Sequence, residues 1–118
     1  MRILKGKDTD LQGTRNVNSI PLSLASQAYI RLVYEDIDGA MSLYKEEERI
    51  WRERGIMNSL ALALVNQALI LNGQNNPQEA LPLAEEAYMI TVEHGYTTLS
   101  EIIQSHFEKI QQEANKRK

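Results

Sequence analysis

The sequence predicts an all-α chain, a short right-handed α-solenoid of antiparallel helix pairs, with two repeated units followed by one capping helix. Three observations predict it. The chain matches itself at an offset of 40 without gaps, apolar residues inside each unit recur at helical spacing, and Gly, Pro, Asn and Asp punctuate the units. The match pairs residues 18–57 with 58–97. Thirteen pairs are identical: Asn18/Asn58, Ser19/Ser59, Leu22/Leu62, Leu24/Leu64, Gln27/Gln67, Ala28/Ala68, Ile30/Ile70, Ala40/Ala80, Leu43/Leu83, Glu46/Glu86, Ile50/Ile90, Glu53/Glu93 and Gly55/Gly95. Chance gives about two or three, and these fall at helix starts, packing positions and a terminating glycine.

In the first unit, helix A is expected over about residues 19–34, with Asn18 or Ser19 as its cap. Pro21 is harmless there, because the first amides of a helix have no partner inside it. Asp36 is expected to cap helix B, which runs to about Arg54 and stops at Gly55, the residue best able to close a helix in the left-handed conformation. The second unit repeats this plan, with helix A over about 59–73. Asn76-Pro77-Gln78-Glu79 opens its helix B with a cap, a first-turn proline and an acid, and Gly95 closes it. Pro82 conflicts with an unbroken helix B, so either a kink or a later start is expected.

A last helix, about 98–115, carries Leu99, Ile103, Phe107 and Ile110 on one face and Glu101, Gln104, Glu108, Gln111 and Gln112 on the other. It reads as a cap that solvates the end of the stack. The single repeat domain thus spans 18–115, with 116–118 a basic tail. Residues 1–17 align poorly. They are either a disordered leader or, from Leu11 and Gly13, the remnant of a preceding repeat.

Composition restricts function. A chain of 118 residues that is 42% apolar and 25% charged suits one globular domain. A net charge of −3 argues against general nucleic-acid binding, since the cationic clusters are confined to Arg2, Lys5, Lys7 and Lys116-Arg117-Lys118. Without cysteine there is no disulfide framework or thiolate metal site. No run approaches the roughly 18 apolar residues of a membrane span, and no secretory leader is evident, so the expected compartment is the cytoplasm.

The residues Gln67-Ala68, Glu79-Ala80, Leu83, Ala84 and Ala87 carry a resemblance to the tetratricopeptide repeat. That family places small residues in helix A, twelve positions later in helix B, and four and seven beyond that. Ala68, Ala80, Ala84 and Ala87 match the series. In the first unit Ala28 and Ala40 match, whereas Tyr44 and Glu47 replace the last two. The unit of 40 departs from the usual 34, and Arg52 and Val92 stand where the closing proline is usual. The longer unit, with the run Glu46 to Gly55, is similar to those of kinesin light chains and many bacterial signalling proteins.

The resemblance implies a protein-binding scaffold whose concave surface is lined by the helices A. In this register the lining is Leu22, Ala25, Tyr29 and Leu32, then Leu62, Val65, Leu69 and Asn72, with Ile102, Ser105, His106 and Lys109 from the cap helix. This apolar groove suits a helical or extended segment of a partner protein. Val65 and Leu69 stand where a clamp for acidic chaperone tails needs polar residues, so that function is not expected. The competing reading packs several of these side chains against neighbouring helices or a second copy of the chain, a homo-oligomer built on the open N-terminal face. A third makes the chain a regulatory segment of a larger signalling protein.

Asn66 and Gln67 either hydrogen-bond a ligand backbone or satisfy groups within the fold. His94 reads as a cap-region residue, and His106 lacks the companions of a metal ligand. Glu46, Glu47, Glu48 and Arg49 read as a solvated face with ion pairs three or four residues apart. No serine or threonine has the surroundings of a nucleophile and no Gly-rich phosphate loop occurs, so neither an enzyme, a cofactor nor a metal is expected.

Overall fold

A computed structural model of the chain describes residues 19–116, with the backbone alone described for residues 19–23 and 25. The readings made for residues 1–17, Asn18 and the last two residues therefore lie outside the described part. Within it are five helices: α1 (Ser19–Val33), α2 (Ile37–Arg54), α3 (Met57–Gly73), α4 (Pro77–Glu93) and α5 (Thr97–Lys116).

The turns between them share one construction. Glu35, Gly55, Asn75 and Gly95, spaced at 20 residues, all take left-handed φ values of 64° to 70°. After each, the next amide donates back five residues, Asp36 to Arg31, Ile56 to Trp51, Asn76 to Leu71 and Tyr96 to Thr91, at 2.7 to 3.1 Å. This satisfies carbonyls that a helix end leaves open. The same four residues then begin the following helix, because their carbonyls accept from Ala40, Leu60, Ala80 and Ser100. One short segment thus closes one helix and opens the next.

The side chains serve these turns unequally. Asp36 accepts from the Gly39 amide at 3.0 Å and pairs with Arg31 at 2.7 Å. The Arg31 hydrogen bond, helped by the Gly39 amide, holds the Asp36 carboxyl below its ordinary pKa. A Cβ at Gly39 would fall too close to an Asp36 carboxylate oxygen, so any larger residue there would make that carboxylate shift. Neither Ile56 nor Asn76 makes a side-chain capping bond. Helix α3 starts at Met57, two residues before the expected position, opened by the Ile56 carbonyl, and the box expected of Asn76 and Glu79 is not formed by the asparagine side chain. Helix α4 runs unbroken from Pro77 through Pro82, which excludes the later start; the Pro82 ring lies on an exposed side. Helix α5 absorbs Lys116, which had been assigned to the tail.

Sequential helices double back on one another. The first half of α3 (Leu60, Leu64) packs against the second half of α4 (Ala87, Ile90), while Ala68 meets Ala80 and Ala84. At the other side of α3, Trp51 near the end of α2 joins Leu60 and Ala61. Helix α3 also touches α5, with Ile103 in the cluster of Leu64 and Ile110 in that of Ala68, so it is the helix with the most neighbours. The alanines explain the close approach: Ala28, Ala40, Ala68, Ala80, Ala84 and Ala87 are fully buried, and small side chains let helix axes come near. On α5 the expected division holds, with Ile103 and Ile110 buried, Leu99 and Phe107 half-buried, and the acids and amides of the other face exposed.

One expectation is overturned on α2. Glu47 is only 6% exposed, because it lies on the face shared by Ala40, Tyr44 and Trp51 at helical spacing and not on the solvated side with Glu46 and Arg49. Burial pushes its carboxyl up to about 7 against the opposing hydrogen bond from the Trp51 side chain. The outward side carries the ion pairs. Arg49 pairs with Glu46 and Glu53, and Arg52 reaches Glu48 at 2.8 Å and Glu86 of α4 at 3.0 Å. Exposed pairs of this kind contribute about 0–1 kcal/mol each.

Glu35 is the turn residue least suited to a left-handed φ, so Glu35→Gly is expected to stabilise the chain by about 0.5–1 kcal/mol in urea unfolding. No gain would mean that the Glu35 backbone carries no strain. For Glu47 the unfolded chain ionises near 4.5 and the folded chain near 7. The unfolded state releases its proton first as pH rises, so this contribution to stability is fully present below about 4.5 and is lost progressively up to about 7. Comparison with Glu47→Gln isolates it. The wild type should lose stability relative to the variant across that window alone, and a pH-independent difference would place the carboxylate in water.

Candidate functional site

Where α3 crosses the α1–α2 pair, the helices leave a hollow of about 420 Å³. Leu32 of α1 and Tyr44 of α2 reach it from positions one turn beyond the buried Ala28 and Ala40. From α3 come Asn66, Leu69, Ile70 and Gly73, which share one helical stripe, and Ile37 and Gln74 complete the lining at the helix ends. Gly73 keeps the hollow open, since nothing lies within 4 Å of where its Cβ would be. Forty residues later, Glu113 of α5 stands at the position of Gly73 and Ala84 of α4 at that of Tyr44, so the repeat does not reproduce this cavity's walls.

The lining is mainly apolar, with the amides of Asn66 and Gln74 as its polar groups. Burial, with Glu47 nearby, raises the Tyr44 pKa and keeps its phenol neutral. The hollow can therefore receive apolar side chains while two amides offer hydrogen bonds to a backbone. It holds no carboxylate, imidazole or amine to move a proton.

Of the residues predicted to line a groove, Leu32, Asn66 and Leu69 come together here. Tyr29 and Leu62 are exposed but do not line the hollow, and neither does the half-buried Asn72. The side chains of Leu22 and Ala25 lie outside the described residues. Val65 requires a correction: it is 4% exposed, packed into the cluster of Ala61, Leu64 and Ile103, because α5 covers that side of α3. On α5, Ile102, Ser105 and Lys109 are exposed and His106 is half-buried.

Sequence reasoning missed Ile37, Tyr44, Ile70, Gly73 and Gln74. The signal for Tyr44 was present, since it replaces the alanine found 40 residues later; Gly73 was read only as a helix end. Gln67, next to Asn66, takes the structural alternative. It is 2% exposed, and its amide donates to the Tyr44 carbonyl at 3.4 Å and to the Glu48 carboxylate at 2.9 Å. Burial alone would raise the Glu48 pKa, but the hydrogen bonds from Gln67 and Arg52 outweigh it and leave the carboxyl below its ordinary value. His94 occupies the C-cap position of α4 and stacks on Tyr96, with ring centroids 5.5 Å apart.

A second hollow of about 390 Å³ lies between α2, α3 and α4, but Asp38, Lys45 and Glu79 give it a mixed, charged lining. Among the described residues no three His, Asp or Glu side chains are grouped to hold a metal ion, and no helix is long and apolar enough to cross a membrane. Comparison with known proteins finds no matching family model, no matching curated protein and no matching solved structure.

Proposed function

We propose that the chain is a non-catalytic protein-interaction module of the tetratricopeptide kind, a short right-handed solenoid that holds a helical or extended apolar segment of a cytoplasmic partner protein. The observation that carries this reading is the apolar hollow between α1, α2 and α3, which brings Leu32 and Leu69 together and places two amides at an otherwise hydrophobic site. An amphipathic segment inserts its apolar anchors into such a cavity and leaves its polar face in water. Tyr29 of α1 and Leu62 of α3 are exposed, one turn before the lining residues Leu32 and Asn66 on their helices. The hollow's size lies near the lower end of the roughly 300–1,000 Å³ typical of binding cavities. It suits a few side chains of a longer partner better than a large cofactor.

Gly73→Leu tests the proposal with little risk to the fold, since the new side chain enters open space. Wild-type chain, Gly73→Leu and Leu69→Asp would each serve as bait in native lysate, with captured proteins identified by mass spectrometry and helicity followed by circular dichroism. A partner retained by the wild type should be lost, by tenfold or more in affinity (about 1.4 kcal/mol), from both variants while the helical spectrum persists. Equal capture by all three baits would refute the assignment of the hollow.

A further inference from the structure

Helix α1 carries on its outer side the positions that α3 and α5 use to sit on the helix pair before them. Ile110 of α5 is fully buried among Ala68, Ala80 and Ala84. Forty residues earlier, Ile70 of α3 packs on Ala28, Ala40 and Tyr44. Forty earlier again, Ile30 is 53% exposed. One turn before each isoleucine lies a second contact. Gln67 donates to the Tyr44 carbonyl and the Glu48 carboxylate, while Phe107 stacks on Tyr88 with centroids 5.7 Å apart. Positions 48 and 88 are themselves 40 apart, so one locus is polar on both sides at the first junction and aromatic on both sides at the second. On α1 this position is Gln27, which is exposed, and Tyr34 one turn after Ile30 is exposed too.

We propose that the outer face of α1 docks a helix pair of a partner protein, one carrying alanines twelve residues apart and a glutamate eight residues after the second. That is the spacing of Ala28, Ala40 and Glu48, the pair on which Gln67 and Ile70 already sit. Gln27 sets the choice. The equivalent amide of Gln67 pairs with a carbonyl and a carboxylate, and against an aromatic ring the Gln27 amide would lose its water hydrogen bonds on burial without replacing them. A second copy of this chain cannot supply the seat, because both alanine seats of each copy hold their own Ile70 and Ile110, and α5 has Glu108 where Ala68 stands in α3. Residues 1–18 contain no alanine. None of Gln27, Ile30 and Tyr34 lines the hollow between α1 and α3, so this surface stands or falls separately from it.

The test presents candidate helix pairs to the full chain in cis, where tethering supplies a high effective concentration. A duplicate of residues 17–56, the glutamate type, or of residues 57–96, the tyrosine type, is inserted between Asn16 and Val17, so that Gly55-Ile56 or Gly95-Tyr96 forms the junction turn. The glutamate-type insert should slow amide exchange through α1 by about tenfold or more and raise the urea midpoint. The tyrosine-type insert should do so much less, and Gln27→Phe should reverse the preference. Ile30→Asp, at a site already exposed, should leave the parent chain unchanged and abolish the gain. Absence of protection, or protection by both inserts alike, overturns the proposal. Dimers of the parent chain that Ile30→Asp dissolves would assign the face to a second copy and overturn it. Protection of α1 in the parent chain that is lost on deleting residues 1–16 would assign the face to the chain's own leader and overturn it equally.

Discussion

A left-handed residue every 20 positions, followed by an amide that reaches back to the closing helix, is the constraint on which the rest of the structure depends. The same residue that supplies this amide opens the next helix with its carbonyl, which leaves the connection almost no freedom. With equal turns and helices of 15 to 20 residues, each helix meets its successor along its length and presents corresponding positions to it. A different turn after α2 would rotate Leu60, Leu64 and Ala68 away from the partners they now bury. The alanine contacts are therefore consequences of turn geometry as much as of composition.

Departures from the repeat create the features that distinguish one junction from another. Where the α3–α4 pair has Ala84 and Ala87, the α1–α2 pair has Tyr44 and Glu47. The tyrosine becomes a wall of the hollow and the glutamate a buried acid. Gly73 leaves space where Glu113 stands forty residues later on α5. The regular positions hold the helices together, and the irregular ones give the surface its chemistry.

Much of the fold was legible in the sequence, because the repeat and the punctuation act locally. Gly55 and Gly95 stand where a left-handed φ is needed, Asp36 caps through its own side chain, and the polar face of α5 follows from helical spacing. Glu35 and Asn75 were harder to recognise, since nothing in a glutamate announces positive φ; the period of 20 becomes visible only when the turns are compared in three dimensions. Glu47 was misplaced because its acidic neighbours suggested a wet face, while Ala40, Tyr44 and Trp51 at helical spacing decided otherwise. At the candidate site, Leu32 and Leu69 follow from the register of helix A, and Asn66 from its amide on an otherwise apolar helix. Val65 was not correctly placed, for the rotation of α3 beneath α5 depends on contacts between distant residues.

Helix contacts are confined to sequence neighbours, apart from the touch between α3 and α5 across a single intervening helix. Among the described residues no segment must find a partner from the far end of the chain, and each hairpin can form before the next is complete. Chains dominated by such local contacts fold on the order of microseconds to milliseconds, because little loop entropy is lost before packing begins to compensate. The same locality allows the molecule to assemble progressively during synthesis, with the α1–α2 hairpin available as a template before α3 has left the ribosome.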